Sequence, residues 1–169
     1  MIHPITKWPA TVLETPGKSV TEFDEGLKQL TADMFESMYA VNGVGLAAPQ
    51  IGLSRRIAVI DVTFGKNAEA KMVIANPEII HAEGEQREDE GCLSLPGFHG
   101  SVLRPKFVTV RAQDLTGNTF EMRGEGLLAR AFCHEIDHLN GVLFLQHVGM
   151  LRRDMIKRKI RKLIKAGEW

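Results

Sequence analysis

The sequence has no excess of either charge, with 21 lysines and arginines against 21 aspartates and glutamates. No global field draws the whole molecule toward a polyanion, so sequence-specific nucleic-acid binding is not expected. No run approaches the roughly 18 consecutive apolar residues of a membrane helix, and Met1–Ala10 contains no apolar signal core. The expectation is a cytoplasmic protein with no membrane partner. Cysteine is scarce: Cys92 and Cys133 are the only two, and in an untargeted chain they argue for metal or thiol chemistry over a disulfide framework. Repeats, low-complexity tracts and linkers are missing too. With 44% apolar residues in 169, one domain spanning residues 1–169 has enough material for a full core.

The chain is organised around Phe132-Cys133-His134-Glu135-Ile136-Asp137-His138-Leu139, inside an apolar stretch that reads as a buried helix from Glu125 to Asn140. His134 and His138 are one helical turn apart, so both imidazoles stack on one face and can grip one metal ion. Glu135 is placed to act as a general base beside that ion without joining its coordination sphere. A buried histidine pair satisfied within the core is the plain alternative. Against it, the flanking Leu127, Leu128, Ala131, Phe132, Ile136 and Leu139 offer little polar compensation for burying such a cluster.

Two histidines do not complete a catalytic site, which usually has three protein ligands. The stretch after His138 carries neither a metzincin histidine at the right spacing nor an evident glutamate ligand. Cys92, in Glu90-Gly91-Cys92-Leu93-Ser94-Leu95-Pro96-Gly97, is the better candidate, since the glycine gives access and Pro-Gly holds the turn. Cys133 points about 100° away from the ligand face and reads as a small buried hydrophobe.

Elsewhere, Thr21–Ala40 reads as an amphipathic helix opened by Thr21 with Asp24 in a capping box. Gly43–Gly52 reads as a loop that lets other groups approach the backbone; it lacks the Lys-Ser/Thr of a phosphate cradle. Arg56–Val62 and Lys71–Asn76, the latter stopped by Pro77, read as strands. Phe107–Ala112 and Thr119–Met122 read as a hairpin around Asp114–Asn118. The fold class expected is α+β, with antiparallel β-sheets packed around the buried HExxH helix and a C-terminal helix.

Three blocks in order, Gly43–Gln50 (GVGLAAPQ), Glu90–Ser94 (EGCLS) and His134–His138 (HEIDH), resemble the peptide deformylases of bacteria. The one departure from the family pattern is the residue just before the third block, Cys133, where that pattern has glutamine. The resemblance implies a metal-dependent hydrolase that removes the formyl group from the N-terminal formyl-methionine of new polypeptides, releasing formate, with metal-bound hydroxide attacking the formyl carbonyl. It implies Cys92, His134 and His138 as metal ligands, Glu135 as acid/base, and Gln50 with the Leu93 N–H as oxyanion donors. It implies Gly45, flanked by Val44 and Leu46, as a backbone partner of the substrate peptide, and one Fe²⁺ per chain, for which Zn²⁺ or Ni²⁺ substitutes. His99 falls near the position where the bacterial form often carries a substrate-contacting arginine.

The chemistry agrees with that implication. A formamide needs a nucleophile stronger than neutral water, which a metal supplies, and donors that receive the developing oxyanion charge. The methionine side chain needs an apolar pocket, for which Val44, Leu128, Phe132 and the Cys133 region are candidate walls. Asp137 is a candidate to orient a ligating histidine, and the family resemblance implies Glu90 with Arg104 as a buried pair that braces the cysteine loop.

Residues 150–166 form a basic amphipathic helix, in which Leu151, Met155, Ile156, Ile160, Leu163 and Ile164 alternate with lysines and arginines. A solvated face over a packed stripe is the ordinary reading; the resemblance implies docking on the phosphate-rich ribosome, next to N-formylmethionyl nascent peptides. Two rival readings are a zinc peptidase of HExxH type and a non-catalytic, metal-stabilised ribosome-associated module. The first lacks its usual third ligand, and the second leaves Glu135 and Gln50 without a purpose.

Overall fold

The computed structural model describes residues 1–169. The first long helix, α1 (Glu25–Ala40), begins four residues later than Thr21 because the Asp24 carboxylate is itself the N-cap, accepting from Leu27 N at 2.9 Å. Strands β1 (Gly45–Ala47), β2 (Ile57–Ile60), β3 (Met72–Glu83), β6 (Phe107–Gln113) and β7 (Thr119–Glu125) form one antiparallel sheet in the order β1-β2-β3-β6-β7. Strands β4 (Gln86–Gly91) and β5 (His99–Arg104) form a separate two-stranded ribbon. Helices α2 (Leu127–Leu139) and α3 (Met150–Lys165) complete the fold.

Strand alternation explains the layers. In β2, Ala58 and Ile60 face α2 in a cluster with Ile74, Val108, Val110, Phe132 and Ile136. Ile57 and Val59 face the opposite way, toward Leu27, Met34 and Met38 of α1. The central strands are thus covered on both faces, which is why they read as continuous apolar runs. A third cluster joins Val102 of β5 to Phe144, Leu145, and Ile156 and Ile160 of α3.

Two expectations change. The Gly43–Gly52 stretch is not all loop: Gly45–Ala47 is the edge strand of the sheet, followed by a 3₁₀ turn Ala48–Ile51. And Pro77 does not stop β3. The register with β6 passes from Ala75↔Gln113 to Glu78↔Arg111, so the proline sits in a bulge where its missing N–H is not needed. Asn76, at φ +47°, holds that bulge by bonding Val20 N, Val20 O and the Gln113 side chain at 2.8, 2.9 and 2.7 Å. The β4–β5 ribbon was not evident from sequence, since Gln-Arg-Glu-Asp-Glu has little strand propensity.

Candidate metal centre

Helix α2 brings the His134 and His138 Nε2 atoms to 3.1 Å from each other, and the turn after β4 brings Cys92 Sγ to 3.2 Å from His138 Nε2. That turn is closed by Leu95 N donating to Cys92 O at 3.0 Å. All three donor atoms lie within 4.8 Å of one another. A tetrahedral ion bound at about 2.0–2.1 Å to nitrogen and about 2.3 Å to sulfur holds such donors about 3.3–3.6 Å apart, so the three residues fit a metal with small adjustment. Burial and the neighbouring His134 hold the pKa of His138 well below the usual histidine range, leaving a neutral imidazole, the form that ligates.

The His134 ring is oriented from its other side. Burial alone would lower the His134 pKa, but Cys92 and Glu90 hold it well above the usual histidine range. The ring's Nδ1 is 2.9 Å from Glu90 Oε2, so Nδ1–H donates there while a metal would replace the proton on Nε2. Glu90, 5% exposed, also accepts from Arg104 at 3.1 and 2.7 Å and from Arg130 at 3.1 Å. Burial alone would raise its pKa, but His134 and Arg104 hold it well below the ordinary carboxylate range. Asp137 takes a different place from the one expected. It accepts from Arg104 at 2.7 Å and lies 2.9 Å from His147 Nε2, bracing Arg104 instead of a ligand.

Glu135 is 3% exposed, and its Oε2 has no partner in the protein. Burial pushes its pKa up to about 7, with the negative Glu90 adding and His134 opposing. A carboxyl poised there can both take and return a proton near neutrality. It packs directly on Gly45, where an added Cβ would sit 2.4 Å from Oε1. Gln50, 1% exposed, has its amide direction fixed by Ala47 N donating to Oε1 at 3.0 Å. Its Nε2 is then aimed at Cys92 Sγ (3.6 Å) and Ser94 Oγ (3.3 Å). The Leu93 N–H bonds to no protein acceptor.

A cleft of about 680 Å³ opens onto this cluster, and Val44, Gly45, Gln50, Cys92, Leu93, His99, His134 and Glu135 all line it. Leu46 does not: alternation along β1 turns it to the α1 side, where it is wholly buried. Leu128 does not line the cleft either. The helix face that carries His134 and Ala131 presents Leu127, while Leu128 packs on the central cluster with Phe132 and Cys133. Burial lifts the Cys133 thiol to about 11, so it stays neutral. His99 is exposed, with Nδ1 3.5 Å from Asp89 and its carbonyl accepting from Arg152 at 3.0 and 2.7 Å. Sequence reasoning missed Leu127 and Arg130 in the cleft wall and the role of Glu90 toward His134. For Leu127 the signal was present in the helical spacing from His134.

The model of the polypeptide deformylase family matches residues 2–154. The chain is 59% identical over 169 residues to the peptide deformylase of Acidobacterium capsulatum, covering 100% of this chain and 99% of that one. It is similar to the crystal structure of a peptide deformylase from Legionella pneumophila, with TM-score 0.91, 47% identity, and coverage of 99% and 98% of the two chains. The peptide deformylase structure from Thermus thermophilus gives TM-score 0.86 at 40% identity, covering 95% and 94%.

Proposed function

The chain belongs to the polypeptide deformylase family, enzymes that remove the formyl group from the N-terminus of new polypeptides, and from that premise we propose how its own residues do so. Cys92, His134 and His138 hold one divalent metal, Fe²⁺ by the family resemblance, with Zn²⁺ or Ni²⁺ as substitutes. When bound, that ion supplies Lewis acidity and makes a water acidic enough to ionise near neutral pH. Glu135 accepts the proton of the attacking water and delivers it to the departing amine. Gln50 Nε2 and the Leu93 N–H donate to the carbonyl oxygen as it gains charge. Val44, Gly45 and His99 line the path of the peptide, and Leu127, with Ala131 beside it, takes the methionine side chain.

The observation that carries this reading is the convergence of three ligand atoms within 4.8 Å of one another beside a buried carboxyl with an unpartnered oxygen. The protein offers three donors, as a catalytic centre does, where a closed structural site has four. Residues 1–169 then act as one catalytic domain. No helix is long and apolar enough to cross a membrane, and we place the protein in the cytoplasm beside the ribosome. The row of exposed lysines and arginines on α3 supports docking there.

The test is formate release from a formyl-methionyl tripeptide by anaerobically iron-loaded protein, beside an acetyl-methionyl control and Glu135→Ala. Release from the formyl peptide alone, abolished in the variant, is expected. Undiminished release by Glu135→Ala would remove Glu135 from its role. For docking, co-sedimentation with ribosomes should fall when the lysines and arginines of α3 are replaced by glutamate, and unchanged pelleting would refute it.

A further inference from the structure

The segment before α1 lies directly over the catalytic residues. Thr6 N donates to Gln50 O at 2.7 Å, and Trp8 N donates to Ser94 O at 3.0 Å. Ile5 and Lys7 are thereby set at the rim of the main cleft, and the same two side chains line a second cavity of about 490 Å³. Its other walls include Trp8, Pro9, Ile164 and Trp169, so it is a groove with an aromatic and aliphatic lining.

The groove is braced against the catalytic loop. The Trp169 ring meets Phe98 edge-on at 5.9 Å, beside His99, and its Nε1 donates to Trp8 O at 2.6 Å. Lys7 is the one charged side chain in its lining, and two further cations stack on the buried Trp8 ring behind it. Lys7 Nζ lies 5.5 Å from the Trp169 ring, while Lys157 and Arg161 lie 5.8 and 5.9 Å from the Trp8 ring. Glu14, the carboxylate that touches Trp8, is occupied by the indole N–H at 2.7 Å.

A nascent chain is longer than the few residues the main cleft can hold, since an extended peptide advances about 3.3 Å per residue. The strand must leave the cleft past some part of its rim, and the Ile5–Lys7 rim leads into a surface already shaped for side chains. We propose that this groove binds the substrate polypeptide downstream of the residues held at the metal, favouring an apolar or aromatic side chain with an acidic neighbour. The apolar side chain lies against Trp169 and Ile164, and the acid pairs with Lys7. This rests on the deformylase reading and adds a distal determinant of substrate preference to it.

The test uses the full-length, iron-loaded chain and three substrates: a formyl-methionyl tripeptide, an octapeptide continuing it with Gly-Gly-Glu-Phe-Glu, and an octapeptide continuing it with Gly-Gly-Lys-Phe-Lys. The quantity read is each octapeptide's kcat/KM divided by the tripeptide's in the same protein, which cancels any general loss of active enzyme. The acidic octapeptide should exceed the tripeptide by about tenfold in the wild type, as expected for partial burial of one aromatic ring plus one weak ion pair. Lys7→Glu should move the preference to the basic octapeptide, and Ile164→Glu should bring the acidic advantage close to one. Trp8 and Trp169 are the chain's only tryptophans and both line the groove, so the unformylated acidic octapeptide should also change their fluorescence. Ratios near one for both octapeptides in the wild type, or ratios unmoved by both substitutions, would overturn the groove. Failure to release formate even from the tripeptide would instead sink the deformylase reading on which the groove depends.

Discussion

Replacing Gly45 by alanine puts one methyl group against the proposed acid/base. The added Cβ would lie 2.4 Å from Glu135 Oε1, 2.9 Å from Cδ and 3.0 Å from Cγ, so the whole end of the side chain is in the way. Carbon and oxygen rest about 3.5 Å apart, so Glu135 or β1 has to yield by about 1 Å. Glu135 can yield only into the cleft it lines, away from its working position, and β1 is tied to β2 by the Gly45↔Ile60 and Ala47↔Ala58 pairs. Forced overpacking costs about 1–3 kcal/mol, and misplacing a catalytic group by about 1 Å costs about 10²-fold in rate. Gly45→Ala should therefore lower kcat on a formyl-methionyl peptide about 100-fold and lower Tm by a few degrees. It should leave iron affinity near wild type, because Cys92, His134 and His138 are not touched. The measurements are steady-state kinetics, a thermal melt and anaerobic iron titration on one preparation. A variant with more than half the wild-type kcat would show that the contact does not hold Glu135 in place.

Glu90→Gln should weaken metal binding about 10–100-fold by loosening His134. It should also destabilise the fold by about 3–5 kcal/mol by leaving Arg104 and Arg130 without their buried carboxylate, read by metal competition and denaturant unfolding. Equal metal affinity in that variant would contradict the orienting role of Glu90. Leu127→Ala should raise KM for formyl-methionyl peptides several-fold, whereas Leu128→Ala should lower Tm with KM little changed; the reverse pattern would restore Leu128 to the pocket. Asp61 carries a pH-dependent contribution to stability. Burial alone would raise its pKa, but bonds from Thr63, Tyr39 and the Gly65 N–H lower it from 3.8 to about 2. Because the folded value lies below the unfolded one, the contribution is complete above about pH 4 and is lost as pH falls toward 2. Asp61→Asn should flatten that part of the acid-unfolding curve, and an unchanged curve would refute the assignment.

What the sequence by itself determined is what depends on spacing along the chain. Helical periodicity alone stacks His134 on His138 and turns Cys133 away, the Asp114–Asn118 turn closes a hairpin, and the stripe of α3 is visible from Leu151 to Ile164. The Gly-Cys turn that delivers Cys92 was also legible, because its residue types admit few other backbones. The tertiary structure decided which distant groups meet. Glu90, 44 residues from His134, reaches its ring while Asp137, three residues away, turns to Arg104 and His147. Strand alternation turns Leu46 from the cleft toward α1, and Leu127 lines the cleft where Leu128 does not, because only the packed helix shows which stripe faces it. An acidic run such as Glu88-Asp89-Glu90 reads as solvated until two arginines and a histidine from other elements are brought around its last residue. The free energy of a buried charge is set by those long-range neighbours, and only the folded chain supplies them.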